Sequence, residues 1–131
     1  MASININLGD AFLLETPPNG QHLYIAIAPT TNSKYLFVNL TTCKTGSETT
    51  CILQPNTTGM PSYVKAESAI AYQYAREMDA RQLDLEICVG SRIPKCTFPI
   101  DILKKIQQGG VASKRIAPMY KRALKRFLGI L

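Results

Sequence analysis

The polar side chains that could perform chemistry in this 131-residue chain are few, and they lie near the predicted ends of strands. His22 is the only histidine, and an imidazole exchanges protons near neutral pH, so it is the candidate general acid or base. Thr41 and Thr42 end the run VNLTT, and Lys44 lies two residues beyond them. These side chains could join His22 in one site if the strand ends that carry them meet.

Each of these residues also has a simpler explanation. A histidine at the start of a strand is often an ordinary surface residue, and threonines are common in strands because of their β propensity. Asp10 is a further polar group that could converge on the same place. The sequence contains no P-loop, GxSxG, HExxH or GxGxxG motif, which argues against the enzyme classes that depend on them.

The four cysteines fall into two pairs of equal spacing, Cys43 with Cys51 and Cys88 with Cys96. A C-x₇-C spacing does not form the tight C-x₂-C knuckle that supports zinc thiolates. The N-terminus lacks a secretion signal, which favours a cytoplasmic protein and thiols over disulfides. If the residues between Cys43 and Cys51 form the loop of one hairpin, the two thiols would face each other across its base. We expect no metal and no cofactor.

Positive charge is concentrated in the last third of the chain. Residues 95–131 hold nine Lys or Arg and one acidic residue, whereas residues 1–94 hold six and eight. This asymmetry indicates an anionic partner, either nucleic acid or an acidic protein segment, although a solvated helix face would give the same pattern. With Lys44, the candidate cations for a nucleic-acid partner are Lys114, Arg115, Lys121, Arg122, Lys125 and Arg126.

The elements that would position these groups are short strands followed by two helices. Apolar runs between turn residues predict strands at 10–14, 22–28, 35–40, 51–54 and 68–75, whereas the pattern over 76–90 fits either an extended segment or a short helix. A helix is predicted over 100–108, stopping at Gly109-Gly110, and a second over 118–128 with Gly129 as its cap. No apolar run is long enough to span a membrane.

These elements predict a mainly β fold: a small antiparallel barrel, or a strongly coiled sheet, with two C-terminal helices. We expect one domain over 1–131, with the barrel at about 8–90 and a basic helical part at about 97–129. The last helix is amphipathic, so its apolar side should dock on the sheet and its basic side should form a stripe in water. The apolar side comprises Tyr120, Ala123, Leu124, Phe127 and Leu128.

The order of these pieces resembles the MazF/PemK family of toxin ribonucleases over roughly residues 8–107. Gly9-Asp10 stands before the first strand, LYIAIA matches the apolar second strand, and VNLTT matches a third strand that ends in hydroxyl residues. The stretch AIAYQYAREMDARQL resembles a later strand of the family in the spacing of Ile70, Met78, Asp79, Arg81 and Leu83. IDILKKIQQ could be the closing helix.

The resemblance implies an SH3-like barrel that acts as a homodimer and cuts single-stranded RNA without a metal. It also implies an acidic antitoxin-like partner that blocks the RNA groove. The family's arginine before the second strand is absent, since Gly20-Gln21-His22 stands there. His22 or Lys44 could replace its charge. The expected function is therefore a toxin-type endoribonuclease; the alternatives are a non-catalytic nucleic-acid-binding module and an adaptor that docks an acidic partner through its basic C-terminal helix.

Overall fold

The computed structural model describes residues 6–15, 21–30, 34–88 and 94–130, without the side chains of Glu15, Ile87 and Cys88. The described chain is mainly β, with six strands and three helices, two of them near the C-terminus. In chain order the elements are β1 (Asp10–Glu15), β2 (Gln21–Pro29), β3 (Lys34–Thr42), β4 (Ile52–Leu53), β5 (Ser68–Asp79), α1 (Ala80–Cys88), β6 (Cys96–Thr97), α2 (Ile100–Ala112) and α3 (Pro118–Leu128).

The six described strands form one antiparallel sheet in the order β4-β5-β3-β2-β1-β6, curled into a half-barrel. Strands β1, β2 and β3 are neighbours in sequence and in space, as expected for short apolar runs joined by turns. Strand β5 instead lies between β3 and β4. Two irregularities, between Ala26 and Ala28 and between Phe37 and Asn39, interrupt the regular pairing of this sheet. Such irregularities typically bend strands.

The five predicted strands and both predicted helices are confirmed, with shifted boundaries. The segment 76–90, whose pattern fits either an extended segment or a short helix, contains both, because β5 continues to Asp79 and α1 begins at Ala80. The Asp79 carboxylate accepts a hydrogen bond from the backbone N–H of Arg81, which satisfies a free donor in the first turn. The two-residue strand β6 was not predicted. The turn predicted after β1 falls mostly on residues outside the described ranges, as do residues 31–33 of the turn before β3.

The sheet is covered on both faces, and its strands therefore alternate between two apolar clusters. Leu23, Ile25 and Ile27 of β2 point to the larger cluster, where α2 and α3 pack; we call this side the α2/α3 face. Tyr24 and Ala26 point to a smaller cluster with Phe12, Phe37 and the α1 residues Ala80 and Leu83; we call this side the α1 face. The unbroken apolar runs of β2 and β3 follow from this two-sided burial.

The predicted stop of α2 at Gly109-Gly110 is wrong, since the helix continues through both glycines to Ala112. Both glycines are buried, and they let α2 approach its neighbours closely. A Cβ added at Gly109 would lie 2.9 Å from the Cβ of Cys51 and closer still to the Tyr72 hydroxyl, and one at Gly110 would lie 2.6 Å from Cδ2 of Leu124. These glycines therefore serve packing and do not end the helix.

Helix α3 ends as predicted, because Gly129 adopts φ 75° and its N–H bonds the Arg126 carbonyl. Its apolar face docks only partly. Leu124 is fully buried and Tyr120 and Leu128 pack against the larger cluster, but Phe127 remains 41% exposed. The prediction that Phe127 docks on the sheet is therefore wrong. Among the described residues, no helix has the length and apolarity that a membrane crossing requires.

Candidate functional site

His22 and Thr41 lie side by side at one end of the sheet. Leu23 of β2 pairs with Leu40 of β3, so the next positions along the two antiparallel strands bring His22 opposite Thr41. Both point to the α1 face, because Leu23 and Leu40 point to the other one. Opposite residues of such a pair have Cβ atoms about 5 Å apart, which is within reach of one phosphate group. Both side chains are half-buried. The condition that these two strand ends meet is thus fulfilled.

Next to this pair, on the same face, lies an arginine that sequence reasoning missed. Tyr24 pairs with Asn39 directly beside the His22–Thr41 row, and both side chains are buried. The guanidinium carbon of Arg76 lies 5.9 Å from the centroid of the Tyr24 ring. Arg76 itself pairs with Phe37, one row farther from His22. Its side chain therefore extends from the Phe37 row to the Tyr24 ring, and the cation is exposed above the tyrosine.

Thr42 points to the opposite face from Thr41, so the two threonines have different surroundings. Thr42 pairs with Ser68 of β5 and lines an open pocket of about 370 Å³ at this end of the sheet. Tyr63 and Lys65, from the loop before β5, also line the pocket. Thr41 also lines the pocket, so the pocket and the His22–Thr41 pair share this residue although they lie on different faces of the sheet.

Lys44 lies in the exposed loop that follows β3, where its backbone N–H donates to the Ser47 hydroxyl at 3.0 Å. Arg115 reaches the same loop, because its Nη1 donates to the Gly46 carbonyl at 3.0 Å. Lys114 precedes Arg115 and is exposed. Two cations distant in sequence, Lys44 and Arg115, are therefore brought to one loop at the end of β3.

The predicted four-charge stripe on α3 is divided in the structure. Lys121 is half-buried and donates from Nζ to the Ser113 carbonyl at 2.5 Å, near the C-terminal end of α2. Arg122 and Arg126 instead line a groove of about 170 Å³ with Thr30 and Glu77. That groove lies at the opposite end of β2 from His22. Lys125 is half-buried. The expectation of one solvated stripe is therefore wrong for Lys121, whose ammonium caps a neighbouring helix.

Glu48 is a buried carboxylate in the loop between β3 and β4, 6% exposed. Its Oε2 accepts hydrogen bonds from the hydroxyls of Thr50 at 2.9 Å and Ser113 at 2.6 Å. Oε1 has no partner among the described atoms. Ser113 also accepts from the backbone N–H groups of Arg115 and Ile116. Glu48 and Ser113 thus join the Lys44 loop to the turn between α2 and α3.

Asp10, a further candidate from the sequence, lies away from His22 and has a structural role. Its carboxylate accepts from the Asn7 backbone N–H at 3.0 Å and from the Thr97 hydroxyl at 2.8 Å. Asp10 also pairs with Thr97 in the β1–β6 ladder. It lies at the other end of β1 from Leu14, which pairs with His22. The expectation that Asp10 joins the site is therefore wrong.

Cys43 and Cys51 do not face each other across a hairpin, because β5 lies between their strands. Ala69 pairs with Thr41 on one side and with Ile52 on the other. The two cysteines are separated by two strand spacings, about 10 Å, which is too far for a disulfide. Burial raises the pKa of the Cys51 thiol, and partial burial followed by the Glu67 carboxylate raises that of Cys43.

Cys96 is likewise a free thiol whose pKa is raised by burial and then by the Asp10 charge. Its predicted relation to Cys88 falls outside the described residues, since the Cys88 side chain is not among them. In the described part of the chain, no group of three or more His, Cys, Asp or Glu side chains is arranged to hold a metal ion.

Three residues that sequence reasoning did not select join the site in the structure: Arg76, Tyr63 and Lys65. Arg76 comes from the far half of β5, and its proximity depends on the pairing of β5 with β3. The one local signal was the alternation of β5, which places Arg76 on a strand but does not specify its neighbours. No family model matches this chain, and no curated protein matches it.

Proposed function

We propose that this protein is an endoribonuclease related to the MazF/PemK toxins, built on an SH3-like barrel, that cleaves single-stranded RNA without a metal. The observation that carries the proposal is the pairing of His22 with Thr41 on one face of the sheet, with the Arg76 guanidinium above Tyr24 in the neighbouring row of that face. A proton carrier, a hydroxyl donor and a cation are the groups that transfer of a phosphodiester to its own 2′-hydroxyl requires.

The SH3-like assignment is supported by the curled antiparallel sheet and the irregular pairing of β2, β3 and β5. A strongly bent small sheet brings the ends of neighbouring strands onto a common rim. In this fold the ends of the strands on the rim carry polar side chains, whereas the middle of β2 is wholly apolar and buried. The working residues of the proposal all belong to β2, β3 and β5.

The reaction balances with these groups alone. His22, in its neutral form, takes the proton of the ribose 2′-hydroxyl as that oxygen attacks the adjacent phosphorus. The bond from phosphorus to the 5′-oxygen breaks, and the imidazolium returns the proton to that leaving oxygen. The Thr41 hydroxyl donates a hydrogen bond to a non-bridging oxygen of the phosphate. The products are a 2′,3′-cyclic phosphate and a 5′-hydroxyl.

Arg76 supplies the positive charge that the MazF/PemK pattern assigns to an arginine before the second strand. An always-charged, planar guanidinium can bind two oxygens of a phosphate at once, which a lysine cannot do. The guanidinium carbon lies 5.9 Å from the centroid of the Tyr24 ring, and a cation–π contact of this kind attracts the cation to the ring face. A preorganised cation stabilises the extra negative charge of the pentacoordinate state without having to reorient.

In this proposal the remaining cations bind the rest of the RNA strand and a protein partner. Lys44, Lys114 and Arg115 stand beside the β3 end and can neutralise phosphates next to the cleaved one. Arg122 and Arg126 are at the far end of β2, where they can bind an acidic antitoxin-like segment. A homodimer would place two such sites on one particle.

The test is incubation of the purified protein with a labelled single-stranded RNA in EDTA. We expect fragments that end in a 2′,3′-cyclic phosphate, and a rate that falls by about 10² to 10⁴ in His22→Ala. His22→Ala must unfold at the same denaturant concentration as the wild type. Intact RNA, or equal cleavage by the variant, would contradict the proposal. Salt-sensitive binding that leaves the RNA intact would instead favour a non-catalytic binding module.

A further inference from the structure

The pocket at the end of β3 is separate from the proposed cleavage groups but adjoins them. It is an open cavity of about 370 Å³ whose lining includes Thr42, Tyr63, Lys65 and Ser68. Thr41 belongs both to this lining and to the pair with His22. Because successive strand residues are about 3.3 Å apart and point to opposite faces, the end of β3 presents one hydroxyl to each site.

We propose that this pocket binds one nucleotide of single-stranded RNA, next to the phosphate that is cleaved. The inference rests on the proposed function and specifies where the substrate is held. Tyr63 stacks on the base, Lys65 binds the adjoining phosphate, and the Thr42 hydroxyl contacts the sugar or the base edge. The volume lies within the range of about 300 to 1,000 Å³ that is usual for small-ligand sites.

The side chains of the pocket fit this ligand class better than they fit a purely apolar ligand. Tyr63 is 40% exposed, so its ring is accessible to a ligand in the pocket. An accessible aromatic ring beside a lysine is the combination that binds single-stranded nucleic acid, because every base has a face that can stack. Lys65 is exposed, so its charge is available to a phosphate.

The loop that carries these residues is anchored on both sides of Tyr63, so the pocket is largely preformed. Val64 is 4% exposed and belongs to the larger core cluster. Its backbone N–H donates to the Pro61 carbonyl at 3.0 Å. The Ser68 hydroxyl donates to the Ala66 carbonyl at 2.9 Å. A preformed pocket loses little entropy when it binds, which favours selective recognition of one nucleotide.

The experiment measures binding of a fluorescent single-stranded oligonucleotide whose 2′-hydroxyls are methylated, so that cleavage does not interfere. We expect Tyr63→Leu to weaken binding about tenfold, because one base stack is lost. Tyr63→Phe keeps the ring and should bind like the wild type. Tyr74→Leu is the matched control, since Tyr74 is 60% exposed on β5 and does not line the pocket.

The contribution of the Lys65 charge is tested by the same binding measurement with Lys65→Gln. The control is Lys104→Gln on the exposed side of α2. We expect the first to weaken binding several-fold more than the second. Unchanged affinity in Tyr63→Leu and Lys65→Gln, or no binding by the wild type, overturns the subsite. Cleavage of unmodified RNA is measured separately. If Tyr63→Leu cleaves this RNA as fast as the wild type does, the subsite is rejected but the proposed nuclease function is not.

Discussion

The guanidinium of Arg76 lies above the ring of Tyr24, with its central carbon 5.9 Å from the ring centroid. The backbone of Arg76 pairs with Phe37, one row away from the pair that Tyr24 forms with Asn39. The side chain thus extends from its own row to the Tyr24 ring. In the proposed mechanism this contact positions a cation for the phosphate held between His22 and Thr41.

Removal of the Arg76 charge should slow RNA cleavage strongly. In Arg76→Gln we expect the turnover number to fall by about 10² to 10³, the usual loss when one donor to a developing charge is removed. Arg76→Lys should recover part of the rate, since it restores charge but not the planar two-point contact. Arg81→Gln, an exposed cation on α1, is the control. Equal turnover in Arg76→Gln and Arg81→Gln would remove Arg76 from the mechanism.

Alanine at the buried glycines of α2 should destabilise the fold, although Gly→Ala usually stabilises a helix. A Cβ at Gly109 would lie 2.9 Å from the Cβ of Cys51, and one at Gly110 would lie 2.6 Å from a methyl of fully buried Leu124. We expect each substitution to lower the free energy of unfolding by about 1 to 3 kcal/mol in urea titration, as overpacked cores do. Gln108→Ala on the exposed side of α2 should change it little. Stabilised glycine variants would show that α2 does not pack this closely.

Loss of the Ser113 hydroxyl should destabilise the joint between the Lys44 loop and α3. Ser113 is fully buried, donates to Glu48 and accepts from two backbone N–H groups. In Ser113→Ala the buried carboxylate keeps, among the described residues, only its hydrogen bond from Thr50, so we expect a loss of about 2 to 3 kcal/mol. Glu48→Gln should lower the free energy of unfolding less in the Ser113→Ala variant than in the wild type, because the two residues are coupled. Ser62→Ala, an exposed serine, is the control, and strict additivity would argue against the joint.

Stability should fall at alkaline pH because two neighbouring acidic groups are buried. Burial raises the pKa of Tyr72 and of Cys51 above their ordinary values of 10.0 and 9.0. The folded state then holds these protons more tightly than the unfolded state. Their contribution to stability is therefore complete below pH 9 and is lost as the pH rises above the ordinary values.

Tyr72→Phe removes one of these two groups. At neutral pH it should cost about 1 kcal/mol, since the Tyr72 hydroxyl donates to the Ile106 carbonyl at 2.7 Å. Above pH 10 the difference from the wild type should shrink. Urea titrations at neutral and alkaline pH measure both effects, with exposed Tyr74→Phe as the control. A difference that stays constant with pH would mean that Tyr72 does not contribute to the alkaline loss.

The strands were predictable because their signals are local. Apolar runs such as LYIAIA and YLFVNL between turn residues predict strands without knowledge of their neighbours, and β2 and β3 follow them closely. Gly109-Gly110 shows where local signals fail. A glycine pair at the end of a helical pattern usually indicates a stop, but these glycines are needed because α2 contacts Tyr72 and Leu124.

By itself the sequence indicated the antiparallel β framework, the two closing helices and His22, Thr41 and Thr42 as candidate catalytic residues. Residue type, period and turn chemistry act over a few neighbouring residues, and a sequence displays those directly. Only the tertiary structure decided that β5 enters between β3 and β4. That pairing separates Cys43 from Cys51, brings Arg76 over Tyr24 and shapes the pocket at Tyr63. The physical reason is that strand order follows from burying both faces of the sheet at once, which depends on the whole chain.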